Sequence, residues 1–293
     1  FQASYTSQCI MGIAEENFSS NMASSQQHYT LYYYDQARNL VRTVSPAGVS
    51  ALSITTTITD DIASHRADPS SITATEPTHS LETTYQFNSL GGTVEQETPD
   101  GGITTFLYDD LGRLVFSQNA KQKDAFSGTN DEHFSYTIFD GLGRIEEVGQ
   151  IKVNVVSYDM TRANIKIAGE ATSIIAANAA NKTEVTKTFY DSQTSNGDAL
   201  GKLVTQDNMV LRVSSVAIKE DGVPTATDYD HASYYSYDIM GNVKTLVQDI
   251  KALADVGQQS GLQLGHNLKR VDYDYDLISG NVNQVSYQKG EAD

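Results

Sequence analysis

The chain has 293 residues and a formal net charge of −17, from 20 Lys and Arg against 37 Asp and Glu. Phosphate binding requires a basic face, so this charge argues against a nucleic-acid partner. Its longest apolar stretches, such as Ser173–Ala180, are far shorter than the roughly 20 residues of a membrane-spanning helix, and the single Cys9 excludes an internal disulfide.

A short motif recurs along the chain: an alternating strand that ends in Tyr or Phe, then Asp, and then Gly three residues later. Thr105–Phe116, Tyr136–Ile145 and Tyr235–Val243 match it without gaps. Tyr32–Val41 and Tyr85–Val94 are looser copies, with Arg38 at the Gly position of the first and Asn88 replacing Asp in the second. Two further copies carry longer turns, Phe189–Asp191 resuming at Gly201–Val204, and Tyr273–Val282.

Each residue type in the motif has a task in a β-hairpin. Alternation, as at Phe106 and Tyr108, places side chains on one strand face. Asp109 is expected to accept hydrogen bonds from backbone N–H groups just downstream, and Gly112 to supply the positive φ of a short hairpin loop. Arg113, with Arg144 and Asn242 in other copies, can reach polar partners at the turn. One motif therefore predicts one hairpin.

The predicted fold is all-β: tandem antiparallel hairpins that form a curved or spiralling sheet, part of a hollow shell, with minor helical insertions. We expect residues 1–293 to be one continuous fragment of such a sheet and, since the chain begins at Phe1, an internal piece of a longer protein. The hairpin units are predicted near residues 29–46, 83–98, 103–118, 134–150, 185–206, 233–249 and 270–287. The predicted turn residues are Tyr34, Asp35, Tyr108, Asp109, Gly112, Arg113, Phe139, Asp140, Gly143, Arg144, Tyr190, Asp191, Tyr237, Asp238, Gly241, Tyr275, Asp276 and Gly280.

Irregular insertions are expected at residues 50–80, 160–184 and 250–268. The Thr- and Ser-rich stretch Ile54–Ser80 predicts an irregular loop with at most one strand. Ala168–Ala180 and Ile250–Val256 favour helix by composition and predict short surface insertions. Ser45–Gly48 and Thr98–Gly102 predict sharp turns between strands.

The sequence offers little support for reaction chemistry. No two of the six His residues have the spacing of a two-ligand metal site, and no Gly-x-Ser-x-Gly elbow occurs. Asp272, Asp274 and Asp276 alternate and could collect Ca²⁺, but Leu277 and Asn283 stand where an EF-hand has Gly and Glu. A solvated acidic strand face is the favoured interpretation of these carboxylates. We expect no catalytic residues, no cofactor and no metal.

The motif Tyr-x-Tyr-Asp-x-x-Gly-Arg-Leu resembles the YD repeat of the Rhs family, which includes the shell subunits of insecticidal toxin complexes and the teneurins. The resemblance covers Tyr32–Val285. It implies a β-sheet strip that spirals into a hollow shell, often around a C-terminal toxin. The implied partners are adjacent shell repeats and the enclosed domain of the parent chain. Leu31–Val44 and Tyr275–Val282 are similar to large exported Rhs proteins of Bacteroidetes-type bacteria, which implies a secreted or cell-surface protein and export machinery such as the type IX route.

The chain departs from the family pattern at the self-cleaving Asp-Pro-x-Gly motif. Asp68-Pro69 is the only Asp-Pro pair, and Ser70 and Ser71 follow it. The cleavage activity and the toxin are therefore not carried over. Three functions remain open: a structural shell segment without catalysis, which is favoured, a surface adhesion or glycan-binding module that uses exposed Tyr, and a hydrolase with an unrecognised site.

Overall fold

The computed structural model describes residues 2–15, 29–50, 55–68, 77–124, 130–193, 205–253 and 267–288. Its helices are α1 (Gln2–Glu15), α2 (Thr56–Ala67), α3 (Ala120–Asp124), α4 (Arg162–Ile165) and α5 (Glu170–Ala177). Its strands are β1 (Leu31–Tyr34), β2 (Leu40–Val44), β3 (Glu82–Phe87), β4 (Thr93–Thr98), β5 (Gly102–Tyr108), β6 (Leu114–Gln118), β7 (Asp131–Phe139), β8 (Ile145–Asn154), β9 (Lys182–Tyr190), β10 (Val213–Asp221), β11 (His231–Tyr237), β12 (Val243–Ile250), β13 (Leu268–Tyr275) and β14 (Val282–Tyr287).

The fourteen strands form a sheet in which spatial order follows chain order, from β1 to β14. The strand pairs with a described register are all antiparallel. The sheet is not closed on itself, because β1 and β14 end the order. The predicted all-β architecture of tandem antiparallel hairpins with minor helices is therefore confirmed.

The chain divides into two compact units. The first comprises residues 1–32 and 43–82, and the second comprises residues 33–42 and 83–293. None of the helices in the described ranges is long and apolar enough to cross a membrane.

The first unit contains the largest difference from the sequence-based expectation. Residues 56–67 of the Thr-rich insertion form helix α2, whereas an irregular loop with at most one strand was predicted. The side chain of Thr55 accepts a hydrogen bond from the backbone N–H of Ile58 and caps this helix. A local cap therefore outweighs the poor helix propensity of the threonines that follow.

The core of the second unit lies beside β5–β8, and the insertion after β8 contributes to it. Ile165, Ala171, Ile174 and Ile175 pack with residues of these strands and are buried. Helix α5 is therefore a core element, and the prediction of a short surface insertion at this point was wrong. Burial of apolar side chains contributes about 25 cal/mol per Å², so the buried residues of this insertion add to the stability of the unit. A second cluster surrounds β10–β12 and contains Ala217, Tyr229, Ala232, Tyr234 and Val247.

The return strand of the fifth hairpin also differs from expectation. Strand β9 pairs with β10, which begins at Val213, so the hairpin spans residues 182–221 instead of 185–206. The predicted resumption at Gly201–Val204 lies outside the described residues. Most of the predicted insertion 250–268, including Ala254–Val256, also lies outside them.

The repeat hairpins whose register is described share one irregularity next to the turn. The register shifts just before the turn Asp or Asn, for example between Leu107 and Tyr108 and between Ile138 and Phe139. The same shift occurs in β3/β4, β11/β12 and β13/β14. A bulge at this point re-aims the following residue, so it fixes where the Tyr or Phe of each copy points.

Candidate functional site: the turn ladder

The repeat turns share one hydrogen-bonded geometry, in which an Asp carboxylate closes the loop. Asp109 Oδ1 accepts from the backbone N–H groups of Leu111 and Arg113 at 3.0 and 2.8 Å. Its Oδ2 accepts from Arg113 Nε at 2.8 Å. Gly112 has φ +77° and donates its N–H to the Asp109 carbonyl, as a left-handed turn residue does. The side chain thus replaces backbone partners that the turn cannot supply.

The other predicted turn residues lie in closely similar positions. Asp140 and Asp238 make the same bonds to the backbone and side chains of Arg144 and Asn242. Asp35 does so with Asn39. Gly143, Gly241 and Gly280 have positive φ, and so does Arg38 at the Gly position of the first copy.

Two turns close differently. Asp191 adopts φ +65°, accepts from the N–H of Leu211, and donates its own N–H to the Arg212 carbonyl, so this Asp holds together the ends of a loop that returns 20 residues later. Asp276 accepts from the N–H groups of Ile278 and Ser279 in a loop one residue longer than the others.

The Tyr of the motif joins one hairpin to the one before it. Its hydroxyl donates to the carbonyl of the first residue in the second strand of the preceding hairpin, at 2.8 or 2.9 Å. The pairs are Tyr108 to Thr93, Tyr190 to Ile145, Tyr237 to Val213, and Tyr275 to Val243. The sequence predicted this residue at the strand end of each repeat turn, without a partner for its hydroxyl. Its fixed position beside the Asp was the signal that it has one repeated partner.

The Arg of the motif reaches in the opposite direction along the sheet. The guanidinium carbon of Arg113 lies 4.7 Å from the ring centroid of Phe139, and that of Arg144 lies 4.0 Å from the ring of Tyr190. Arg212 lies 5.4 Å from the ring of Tyr237. A cation over an aromatic face is attracted by its quadrupole. Each Arg therefore connects its own turn to the Tyr or Phe of the next hairpin.

Arg144 is the most strongly engaged of these cations. Besides Asp140, its guanidinium donates to both carboxylate oxygens of Asp191 on the next turn, at 3.3 and 2.7 Å. Hydrogen bonds to Asp191 and Asp140 raise the pKa of Arg144. Burial alone would raise the pKa of Asp140, but hydrogen bonds from the Arg144 backbone and side chain outweigh it, so this pKa lies below its usual value.

We call the Asp, the Tyr or Phe, and the Arg or Asn residues of the successive repeat turns, taken together, the turn ladder.

A buried polar cluster lies near the centre of the second unit and was not predicted. Glu147 accepts from the hydroxyl of Tyr136 at 2.7 Å and from Nζ of Lys182 at 2.5 Å, and all three side chains are buried. Burial alone would raise the pKa of Glu147, but the bonds from Lys182 and Tyr136 outweigh it and lower the pKa. Burial and the hydrogen bond to Glu147 raise the pKa of Tyr136, which keeps its hydroxyl protonated.

The same arrangement occurs a second time. Asp249 accepts from the hydroxyl of Tyr229 at 2.5 Å, its carboxylate lies 3.0 Å from Nζ of Lys251, and Asn267 donates to its other oxygen. In both clusters the carboxylate accepts hydrogen bonds from at least two donors of the fold. These clusters stabilise and orient strands, and the arrangement of two donors on one acid is typical of a satisfied buried charge.

The acidic strand segment that suggested calcium is divided between different roles. Asp272 accepts from Thr245 Oγ1 at 2.9 Å and forms an ion pair with Arg270. Asp274 is exposed, and Asp276 closes the last turn. Among the described residues no group of three or more His, Cys, Asp or Glu side chains could hold a metal ion.

Comparison with known proteins gives structural neighbours only. No family model matches the sequence, and no curated protein matches it. The similar solved structures include crystal structures of TcdB2-TccC3 and of TcdB2-TccC3-Cdc42, each at 12% identity with a TM-score of 0.44 over 88% of this chain. Another is the Photorhabdus luminescens Tc holotoxin pore, at 11% identity and a TM-score of 0.24. The chain corresponds to 9% of the length of each of the two crystallised chains.

Proposed function

We propose that this chain is a wall segment: a stretch of continuous β-sheet whose work is mechanical and which performs no reaction of its own. The observation that carries the proposal is the turn ladder. Its tyrosine hydroxyls and arginine guanidinium groups join successive hairpins by the same contacts, at Tyr190, Tyr237 and Tyr275 among others. A repeated joint between neighbours is what a structure built by extension requires.

The absence of catalysis is part of this proposal. The most enclosed ionisable groups, around Glu147 and Asp249, are occupied by hydrogen bonds and ion pairs within the fold. Perturbed acids and bases at an active site normally face a cleft, whereas these carboxylates are 4% and 2% exposed.

The parent protein, within the same proposal, is an exported or cell-surface protein of the Rhs type whose sheet curves into a shell. That shell would enclose or present a C-terminal effector, and adjacent repeats of the same chain would be the immediate partners. The support is the YD-like motif with its seven copies and the open-ended strand order. Detection of the parent protein in culture medium, and protection of its C-terminal part from added protease, would test these two statements.

A wall segment taken alone has open edges, and this provides the direct test. Strand β14 ends the sheet with exposed Val285, so purified chains are expected to associate through it. The variant Val285→Glu places a charge on this edge and should lower the apparent mass in light scattering. Val210→Glu adds the same charge at an exposed turn site and should leave the mass unchanged. A wild-type chain that stays monomeric at high concentration contradicts the proposal.

A glycan-binding module is the second candidate, and exposed aromatic rings favour it. Tyr34 and Tyr287 are each 62% exposed and could stack against sugar rings. A glycan array separates the candidates, because saturable binding that is lost in Tyr34→Ala or Tyr287→Ala would support adhesion over a purely structural role.

A further inference from the structure

The turn ladder has joints at which its arginine is replaced, and the joint between β11/β12 and β13/β14 is one of them. In the hairpin β11/β12 the residue four positions after the turn Asp is Asn242, where the hairpins β5/β6 and β7/β8 have Arg113 and Arg144. Asn242 donates to Asp238 Oδ2 at 2.9 Å, so it closes its own turn as the arginines do. Its side chain is too short to reach the ring of the next hairpin, and its amide carries no charge for a cation–π contact. The next ring along the ladder is Tyr275.

The Tyr275 ring lies beside a cavity of about 460 Å³. Asp238, Asn242, Tyr275 and Asp276 contribute to its lining. The equivalent cavity at the joint between β7/β8 and β9/β10 measures about 380 Å³ and is lined by Asp140, Arg144, Tyr190 and Asp191. The two cavities have corresponding walls. They differ in that a guanidinium projects from the wall of one and an amide from the wall of the other.

The wall at Asp276 retains an acceptor for such a cation. Within the described residues, the hydrogen bonds to Asp276 from Ile278 and Ser279 all reach Oδ1, which leaves Oδ2 for another donor. Its counterpart Asp191 uses both oxygens to bind Arg144. The pKa of Asp276 is lowered by the bonds from Ser279 and Ile278, so the carboxylate is charged at neutral pH.

The Tyr275 face is likewise positioned for a cation. Its hydroxyl is bonded to Val243, and Tyr273 stacks beside it at 6.4 Å between ring centroids, which fixes the orientation of the ring. In the described part of the chain no Lys or Arg lies over the ring of Tyr275, whereas Phe139, Tyr190 and Tyr237 each have an Arg there. Lys244 lines the same cavity and is the cation nearest in sequence to Asn242.

Another joint shows that a cation can come from outside the motif. In the hairpin β3/β4 the arginine position is Gly92, and the small cavity beside Tyr108 is lined by Arg162 and Lys166 from the α4 insertion. Arg162 Nη2 donates to the Val94 carbonyl at 3.3 Å. A side chain from a distant segment thus reaches a joint that lacks its own arginine.

We propose that the cavity between the turns of β11/β12 and β13/β14 is a binding site for the arginine side chain of a partner polypeptide. The guanidinium would stack on Tyr275 and pair with Asp276 Oδ2. A planar, weakly hydrated cation with several donors fits an aromatic face beside a carboxylate better than an ammonium does. A formal charge of −17 on the chain also favours a basic partner segment. The site goes beyond the wall role and does not depend on it.

The test is a titration of the full chain with Nα-acetyl-argininamide, followed by NMR of its tyrosine rings. Saturable shifts at Tyr275 with a Kd of about 1–10 mM are expected for one cation–π contact and one charge-assisted hydrogen bond. Nα-acetyl-citrullinamide has nearly the same shape without the charge and should bind about tenfold more weakly. Equal binding of the two probes, or no shift at Tyr275, overturns the proposal.

Variants locate the site and report on folding separately. Asn242→Arg supplies the guanidinium from within, so it should abolish probe binding and raise the temperature of unfolding. Asp276→Asn should weaken binding, while Asp110→Asn makes the same charge change at an exposed turn and should leave it unchanged. Undiminished binding to both Asn242→Arg and Asp276→Asn overturns the proposal. If Asn242→Arg does not fold, the pair Asp276→Asn and Asp110→Asn still decides the question.

Discussion

The hairpins β7/β8 and β13/β14 have related turns and very different surroundings. Asp140 and Asp276 both accept from downstream N–H groups, and both turns contain a Gly with positive φ. Strands β7 and β8 pack against Ile174 and Ile175 of the insertion, whereas no side chain of β14 is buried. The motif therefore specifies the reversal of the chain, while the stability of each hairpin depends on what packs against its strands.

The largest expected effect concerns the buried cluster of β7/β8. Lys182→Met leaves the Glu147 carboxylate buried without its main cation, which should lower the free energy of unfolding by about 3–5 kcal/mol. Lys152→Met removes a half-exposed lysine whose ion pair with Asp131 spans 3.8 Å, and should change it by at most about 1 kcal/mol. Urea unfolding measures both. Equal effects would mean that Glu147 is solvated and that β7/β8 differs less from β13/β14 than the structure shows.

The insertion after β8 should account for the next largest effect. Ile174→Ala opens a cavity in the core and is expected to reduce the free energy of unfolding by about 2–5 kcal/mol. Ile167→Ala lies in the same insertion, at a side chain that is 56% exposed, and should reduce it by less than about 0.5 kcal/mol. Thermal unfolding of the two variants compares them. A small loss of stability in Ile174→Ala would indicate that the insertion lies on the surface and not in the core.

Substitution of equivalent glycines tests whether the hairpins β7/β8 and β13/β14 differ in stability. Gly143 has φ +80° with no atom near an added Cβ, so Gly143→Ala should destabilise by backbone strain of about 1–2 kcal/mol. Gly141 lies in the same turn with an ordinary φ, and Gly141→Ala should be neutral.

Gly280→Ala introduces the same strain beside the exposed strand β14. Its effect should appear as faster hydrogen exchange in β14 with little change in global unfolding, because that strand can open locally. Global destabilisation equal to that of Gly143→Ala would show that the two hairpins unfold as one cooperative unit.

Loss of a tyrosine hydroxyl from the turn ladder should lower the free energy of unfolding by a smaller amount. Tyr237→Phe removes the bond to the Val213 carbonyl and keeps the ring under Arg212, so it should lower stability by about 0.5–1.5 kcal/mol. Tyr287→Phe, on exposed β14, is the matched control and should have no measurable effect. A neutral result at Tyr237 would indicate that the ring alone joins the hairpins.

The pH dependence of the turn carboxylates should give the smallest signal. The folded-state pKa of Asp140 is lowered, so its contribution is fully present above the unfolded pKa of about 3.9 and is lost as pH falls through the folded value. The difference in unfolding temperature between wild type and Asp140→Asn should therefore be constant near neutral pH and shrink in acid. A difference that grows in acid would contradict the lowered pKa.

The sequence predicted the local features of this fold well because their chemistry is local. Asp109, Gly112 and their equivalents lie at turns since an Asx side chain and a left-handed residue act within five positions. Helix α5 was placed on the surface because a composition of Ala and Ile does not reveal which face it buries. Strand β10 was missed as the return strand because the loop before it is long and carries no Gly next to Arg212.

The contacts of the site that join different hairpins could not be predicted from the sequence. The Tyr190–Ile145 bond and the Arg144–Asp191 pair connect residues more than 40 positions apart, through a register that strand pairing alone sets. The spacing between motif copies is irregular, so no sequence period indicated which residues of different hairpins would be in contact. The replacement of Arg by Asn242 was visible, but its meaning depended on knowing what Arg113 and Arg144 touch.

The chain-ordered sheet has a consequence for how the molecule is made. Since every strand lies beside the strands immediately before and after it in sequence, no partner has to wait for a segment synthesised much later. Each hairpin can dock as soon as it leaves the ribosome, with the previous one serving as its template. The sheet can thus assemble in one direction, from the N-terminal hairpin to the C-terminal one. Further hairpins can be added at either end of the strand order without changing the existing strand pairs.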